Sequence, residues 1–125
     1  KIVRNKKIVF LGVTFKPNTD DMRDASSLFM IPNLLKRKAI ISYYEPTGKK
    51  KEFTKLKNCT FHPDLNNACI NADIIILHTE WDEFKSLDFN KLVKKKNFII
   101  YDLRNLYSIE EMHRKKIKYF SIGRP

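Results

Sequence analysis

Lys7-Ile8-Val9-Phe10-Leu11-Gly12-Val13 is a short apolar run with a glycine close to its end. Such a run has no polar alternation and so no solvent-facing side, which reads as a strand buried on both faces of a parallel sheet. Comparable runs rich in isoleucine and aromatics recur at 39–44, 73–78 and 97–101, with a weaker last candidate at 118–122 and a very short one at 59–61. The intervening segments 25–38, 48–56, 65–71, 80–84, 89–95 and 109–115 have helical character. The alternation predicts an α/β fold of the Rossmann-like type: a three-layer parallel sheet with helices on both faces, in a single domain over 1–125.

Helix starts support the same division. Asp24, Asp64, Asp88 and Ser108 each precede a helical segment, where a side-chain oxygen accepts the free amide hydrogens of the first turn. Pro32 stands inside the first of these segments and predicts a kink or a late start. No internal repeat, low-complexity linker or composition break divides the chain.

Composition narrows the class. An apolar fraction of 42%, with no uncharged run near the roughly 20 residues a membrane helix requires, reads as a soluble protein with no membrane association. The basic start, residues 1–7, leads into a short apolar run without a small-residue cleavage site, so no signal peptide is expected and the cytoplasm is the default location. Cys59 and Cys69 are too few for a disulfide scaffold and lack zinc-site spacing, and both read as structural thiols, not nucleophiles. His62, His78 and His113 are scattered, so no metal is assigned. The net charge of +11 raises nucleic acid as a partner. Its distribution argues against that reading, because the lysines gather at helix ends and loops without interleaved exposed aromatics. What remains is a general preference for anions.

Ligands of an open parallel sheet bind beyond the carboxyl ends of its strands. Two loops lie there: residues 14–27 and residues 102–107. The one glycine near the first is Gly12, two residues ahead of it, so the glycine-rich fingerprint that lets a backbone approach a pyrophosphate is missing and side chains must bind instead. Lys16 supplies a mobile point charge and Arg104 a planar fork of donors, together a candidate diphosphate clamp.

The run 15–26 resembles the signature that opens the carboxy-terminal domain of the UDP-glucose and GDP-mannose dehydrogenase family. Tyr44-Glu45-Pro46, Ala72-Asp73, Thr79-Glu80-Trp81-Asp82-Glu83-Phe84, Asp102-Leu103-Arg104-Asn105 and Ser121-Ile122-Gly123-Arg124-Pro125 agree with that family in order and spacing. By position, the resemblance implies that Phe15 and Lys16 contact the nucleotide sugar, that Arg104 binds its uridine-diphosphate portion, and that Arg23 reaches NAD across a domain interface. It further implies two NAD-dependent oxidations that turn UDP-glucose into UDP-glucuronate through a cysteine in an amino-terminal half. That half, which also holds most of the NAD site, and a central helix through which members pair as homodimers are absent from this sequence. Neither Cys59 nor Cys69 lies in such a cysteine motif, so this chain alone is expected to be inactive. Members acting on UDP-N-acetylmannosamine or GDP-mannose are the alternatives within the family, and a non-catalytic nucleotide-binding module is the alternative outside it.

Several residues carry two readings. Arg23 contacts cofactor or pairs with Asp20, Asp21 or Asp24; Phe15 contacts ligand or fills the core. Glu45 suits a turn better than a ribose hydroxyl, and Trp81 and Phe84 suit loop packing better than base stacking. The family pattern is departed from at Glu45, where aspartate is usual, and at Lys38 and Leu103, where glycine is frequent. Lys38 removes an inexpensive route to the left-handed backbone that closes many helices, and Leu103 alters how closely the backbone can approach a ligand.

Overall fold

The computed structural model describes residues 2–122. Six strands, β1 (Lys7–Leu11), β2 (Ile40–Tyr44), β3 (Cys59–Phe61), β4 (Ile74–Leu77), β5 (Ile99–Asp102) and β6 (Lys118–Ser121), form one sheet in the order β3-β2-β1-β4-β5-β6. All five pairings are parallel, with Phe10 opposite both Tyr43 and Ile76 in the central register. Helices α1 (Ser27–Lys36), α2 (Leu65–Cys69), α3 (Phe89–Leu92) and α4 (Ile109–Arg114) make the crossovers.

The apolar run at β1 is buried on both sides, as its composition requires. Ile8 and Phe10 join Ile41, Tyr43, Ile74 and Ile76 in a core covered by Ile31 of α1 and by Phe53. Val9 and Leu11 join Ile75, Leu77 and Ile100 in a second core on the opposite face, covered by Ala68, Phe89 and Met112 of α2, α3 and α4. Each such side chain contributes about 1.5–3 kcal/mol by leaving water. Truncating one at the sheet centre, as in Ile75→Ala, costs about 2–5 kcal/mol, because a cavity is left behind.

Asp64 and Ser108 cap their helices, accepting from the amides of Asn67 at 3.0 Å and Glu111 at 3.2 Å. Asp24 does not: its backbone is left-handed (φ 62°) and α1 starts later, behind Ser26. Asp88 occupies the cap position without a side-chain hydrogen bond. Pro32 lies inside α1, which starts five residues ahead of it at Ser27, so the proline does not set the helix start. The helices expected at 48–56 and 80–84 are single 3-10 turns, Lys51–Phe53 and Asp82–Phe84. Each buries one side chain, Phe53 or Phe84, which is too little apolar surface to hold a longer helix. Helix α3 stops at Leu92 because Val93 turns extended and the Lys94 amide pairs with the Ile70 carbonyl. Gly123, Arg124 and Pro125 of the expected terminal match lie outside the described residues.

Candidate functional site

Strand order reverses between β1 and β4, so the chain leaves these two neighbours in opposite directions and a crevice opens beyond their carboxyl ends. Residues 12–26, 78–81 and 103–107 meet at that edge. Gly12, with φ +79°, begins the first loop, and a Cβ there would stand 2.6 Å from Cβ of Thr79. The close approach of the loops after β1 and β4 therefore depends on a residue without a side chain.

His78 ties the loops together. It is fully buried, and its ring bridges Ser26 Oγ, 3.0 Å from Nε2, and Thr79 Oγ1, 3.0 Å from Nδ1. Thr79 Oγ1 spends its proton on the Thr14 carbonyl at 2.8 Å, so it accepts from Nδ1–H and leaves Nε2 to accept from Ser26. Burial, reinforced by the nearby Arg104 charge, pushes the imidazole pKa down to about 4, so the ring is neutral near pH 7. The main-chain oxygen of His78 accepts from Nε of Arg104 at 2.7 Å.

Arg104 is half-buried. Its Nη2 also reaches the Phe15 carbonyl at 3.4 Å, and Glu80 Oε1 lies 3.7 Å from its Nε. The loop that carries it is organised by Asp102, a buried carboxylate. One oxygen accepts the Arg104 amide at 3.0 Å; the other accepts the Leu106 and Tyr107 amides and the Tyr119 hydroxyl at 2.7, 3.1 and 2.6 Å. The Tyr107 hydroxyl in turn bonds the Phe84 carbonyl and fastens this loop to the one after β4.

Arg104 thus lies against Phe15, the residue before Lys16. Lys16 is exposed, and its carbonyl accepts the Thr14 hydroxyl at 3.0 Å. Phe15 is 45% exposed and is not core. Arg23 forms a two-pronged pair with Asp21, at 2.9 Å from Nη2 and 3.1 Å from Nε, while its side chain stays 89% exposed. That hydrogen-bonded guanidinium brings the Asp21 pKa down to about 2. Glu45 has a turn role: one oxygen takes the Val13 amide at 2.8 Å, the other the Thr47 amide and hydroxyl at 3.1 and 2.7 Å. Trp81 packs half-buried against the core and Phe84 is buried in it. Leu103 is half-buried against the other core, and its amide pairs with the Leu77 carbonyl.

Burial lifts the pKa of Cys59 to about 11 and that of Cys69 to about 12, which keeps both as unreactive thiols. Among the described residues no group of three or more His, Cys, Asp and Glu side chains is arranged to hold a metal. None of their helices is long and apolar enough to cross a membrane. Ser26, His78 and Asp102 carry much of the loop geometry; Ser26 and Asp102 fall inside the family-like stretches and His78 in none, and no motif points to the roles of the three. The available signal was position, since His78 and Asp102 are polar residues at the carboxyl ends of apolar runs.

A parallel sheet whose loops converge on a half-buried arginine at the strand-order reversal defines a nucleotide-binding α/β domain. Residues 9–109 match the model of the UDP-glucose/GDP-mannose dehydrogenase family, UDP binding domain, and the chain belongs to that family. It is 38% identical over 124 residues to the UDP-glucose 6-dehydrogenase of Rhizobium meliloti, a match covering 98% of this chain and 28% of that protein. With the Bacillus subtilis UDP-glucose 6-dehydrogenase it shares 35% identity, over 98% of this chain and 27% of the relative. Among solved structures, the NDP-N-acetyl-D-galactosaminuronic acid dehydrogenase of Methanosarcina mazei superposes with a TM-score of 0.84 at 26% identity, covering 99% of this chain and 26% of that one. The chain therefore spans little more than a quarter of the length of these relatives.

Proposed function

We propose that this chain is the nucleotide-sugar-binding domain of an NAD-dependent UDP-glucose 6-dehydrogenase acting in the cytoplasm as a homodimer. Arg104 carries the reading. Its Nε is committed to His78, which aims the rest of a permanently charged fork along the crevice edge beside Phe15 and Lys16. A diphosphate placed there would meet the guanidinium and the Lys16 ammonium together. The Phe15 backbone would be held by Arg104, and its exposed ring would lie against the nucleotide sugar.

For NAD, the segment that leaves β1 carries one glycine, Gly12, and not the glycine-rich series that lets a backbone cradle a pyrophosphate, so this domain by itself offers no dinucleotide site of the usual kind. The cofactor, which supplies hydride acceptance when bound, would belong chiefly to an amino-terminal domain with which this domain would pair. Arg23, exposed and oriented by Asp21, would touch the cofactor from across the interface. The share of the work done here is binding: charge compensation for the diphosphate and closure of the cleft.

Calorimetric titration with UDP, UDP-glucose, GDP and NAD at moderate salt tests this, with an Arg104→Ala variant alongside. Uridine nucleotides bind, NAD alone does not, and the variant loses about tenfold or more in affinity, in keeping with a charged hydrogen bond. Equal affinity for UDP and GDP would remove the uridine assignment. UDP affinity unchanged in the variant would remove Arg104 from the site.

A further inference from the structure

At the opposite edge, below the amino ends of β5 and β6, six lysines line one groove of about 340 Å³: Lys94, Lys95, Lys96, Lys115, Lys116 and Lys118. No carboxylate lines it. Two sequence segments supply them, one entering β5 and one entering β6, and register brings these together, with Ile99 paired to Lys118. The side-chain amide of Asn90 on α3 fixes the arrangement by donating to the Lys115 carbonyl at 3.2 Å. Lys95 pairs with Asp73 at 3.1 Å and Lys115 with Glu111 at 3.4 Å. Among the described residues, Lys94, Lys96, Lys116 and Lys118 have no carboxylate within ion-pair distance.

Four uncompensated ammonium groups around one small groove repel one another, and a compact anion of high charge would remove that repulsion. Helix C-termini favour cations, which accounts for lysines at the ends of α3 and α4 but not for their shared groove. Lysine is a point charge without a fixed hydrogen-bonding plane, so it suits phosphate oxygens of any orientation. The one aromatic ring in the lining, Phe98, is buried, so no exposed ring is offered for a nucleobase to stack on. The length of β5 separates the groove from the Arg104 edge by about 10 Å, beyond the screening length of physiological salt.

We infer that this groove is a second anion site, selective for compact oligophosphates and independent of the nucleotide-sugar edge. The probe is inorganic tripolyphosphate, titrated calorimetrically into the protein at about 50 mM salt, where such contacts are least screened. Tripolyphosphate is expected to bind at least tenfold more tightly than orthophosphate. A K94Q/K96Q/K116Q/K118Q variant should lose at least tenfold, the corresponding Lys→Arg variant should retain binding, and Arg104→Ala should leave it unchanged within twofold. The control is K36Q/K38Q/K55Q/K57Q, which removes four exposed lysines elsewhere and the same net charge. If that control weakens tripolyphosphate as much as the groove variant does, the attraction is that of net charge and there is no site. Competition by UDP at the groove, or loss of binding in Arg104→Ala, would place the anion at the nucleotide-sugar edge and overturn the inference while leaving the proposed function standing. Nucleoside triphosphate binding equal to that of tripolyphosphate would identify the phosphate chain as the recognised part, and a nucleoside preference would overturn the oligophosphate assignment.

Discussion

Arg104 donates its Nε–H to the main-chain oxygen of His78 at 2.7 Å, so a guanidinium on the loop after β5 is fixed to the residue that follows β4. That bond spends one of five donors and sets the plane of the others. Lysine cannot reproduce it, since a single ammonium cannot hold the His78 oxygen, the Phe15 oxygen and a phosphate in one plane. Arg104→Lys is therefore expected to keep the charge yet lose about tenfold in UDP affinity, close to the loss in Arg104→Ala. Affinity within twofold of the parent would show that charge alone suffices.

His78 makes stability depend on pH. An unfolded histidine titrates near 6.5, whereas burial holds this one at about 4 in the folded protein. Between those values the unfolded chain takes up a proton that the folded chain excludes. Stability is complete above about pH 6.5 and falls as pH drops toward 4, by about 3 kcal/mol for one proton over that window. Urea denaturation at pH 7.0, 5.5 and 4.5 checks this against His78→Gln, whose decline should be shallower by at least about 1 kcal/mol. Parallel declines would assign the pH dependence to other groups.

Gly12 carries both a positive φ of 79° and a neighbour too close for a side chain. Gly12→Ala adds backbone strain to a forced displacement of Thr79 and is expected to cost about 2–4 kcal/mol. Thermal melting measures it. Because Thr79 also holds His78 and Thr14, UDP binding by the surviving folded fraction should weaken as well.

Sequence alone disclosed most of the sheet because doubly buried strands leave runs such as Ile8 to Leu11 and Ile74 to Leu77 that have few alternative readings. Helices were less legible. The segments at 48–56 and 80–84 contain helix-forming residues, but one buried phenylalanine apiece supports only a turn. Asp24 precedes a helical pattern, yet it sits in a left-handed bend and Ser26 takes the cap position, a choice of backbone geometry that composition does not encode. At the carboxyl edge of the sheet Lys16, Arg23 and Arg104 were visible as charges in loops. The His78 bridge and the Asp102 scaffold were not, since both depend on partners 26 or more residues away or on several main-chain amides at once.

Lys38 closes α1 in a left-handed conformation, with φ 71°. The Ala39 amide reaches the Leu34 carbonyl at 3.1 Å and the Lys38 amide the Leu35 carbonyl at 3.0 Å, the paired bonds of a helix end for which glycine is favoured. Lysine bears a steric cost of about 1–2 kcal/mol there, partly offset by its smaller loss of backbone freedom on folding. Lys38→Gly should therefore stabilise the domain by roughly 0.5–1 kcal/mol, a rise of a few degrees in melting temperature.

Asp102 is surrounded by donors: three amides and the Tyr119 hydroxyl converge on its two oxygens. Asp102→Asn changes almost no volume but replaces one acceptor by an N–H₂ group. Whichever way the amide turns, that group faces at least one amide donor, so buried hydrogen bonds are lost and a donor is left unpaired. The cost is about 2–4 kcal/mol by denaturant unfolding. The Arg104 amide is among these donors, so UDP affinity should fall in Asp102→Asn even where the protein remains folded, whereas Tyr119→Phe, which removes only one hydroxyl, should lower stability and spare affinity. Undiminished UDP binding in folded Asp102→Asn would show that Arg104 is held by His78 and Phe15 without help from its own loop.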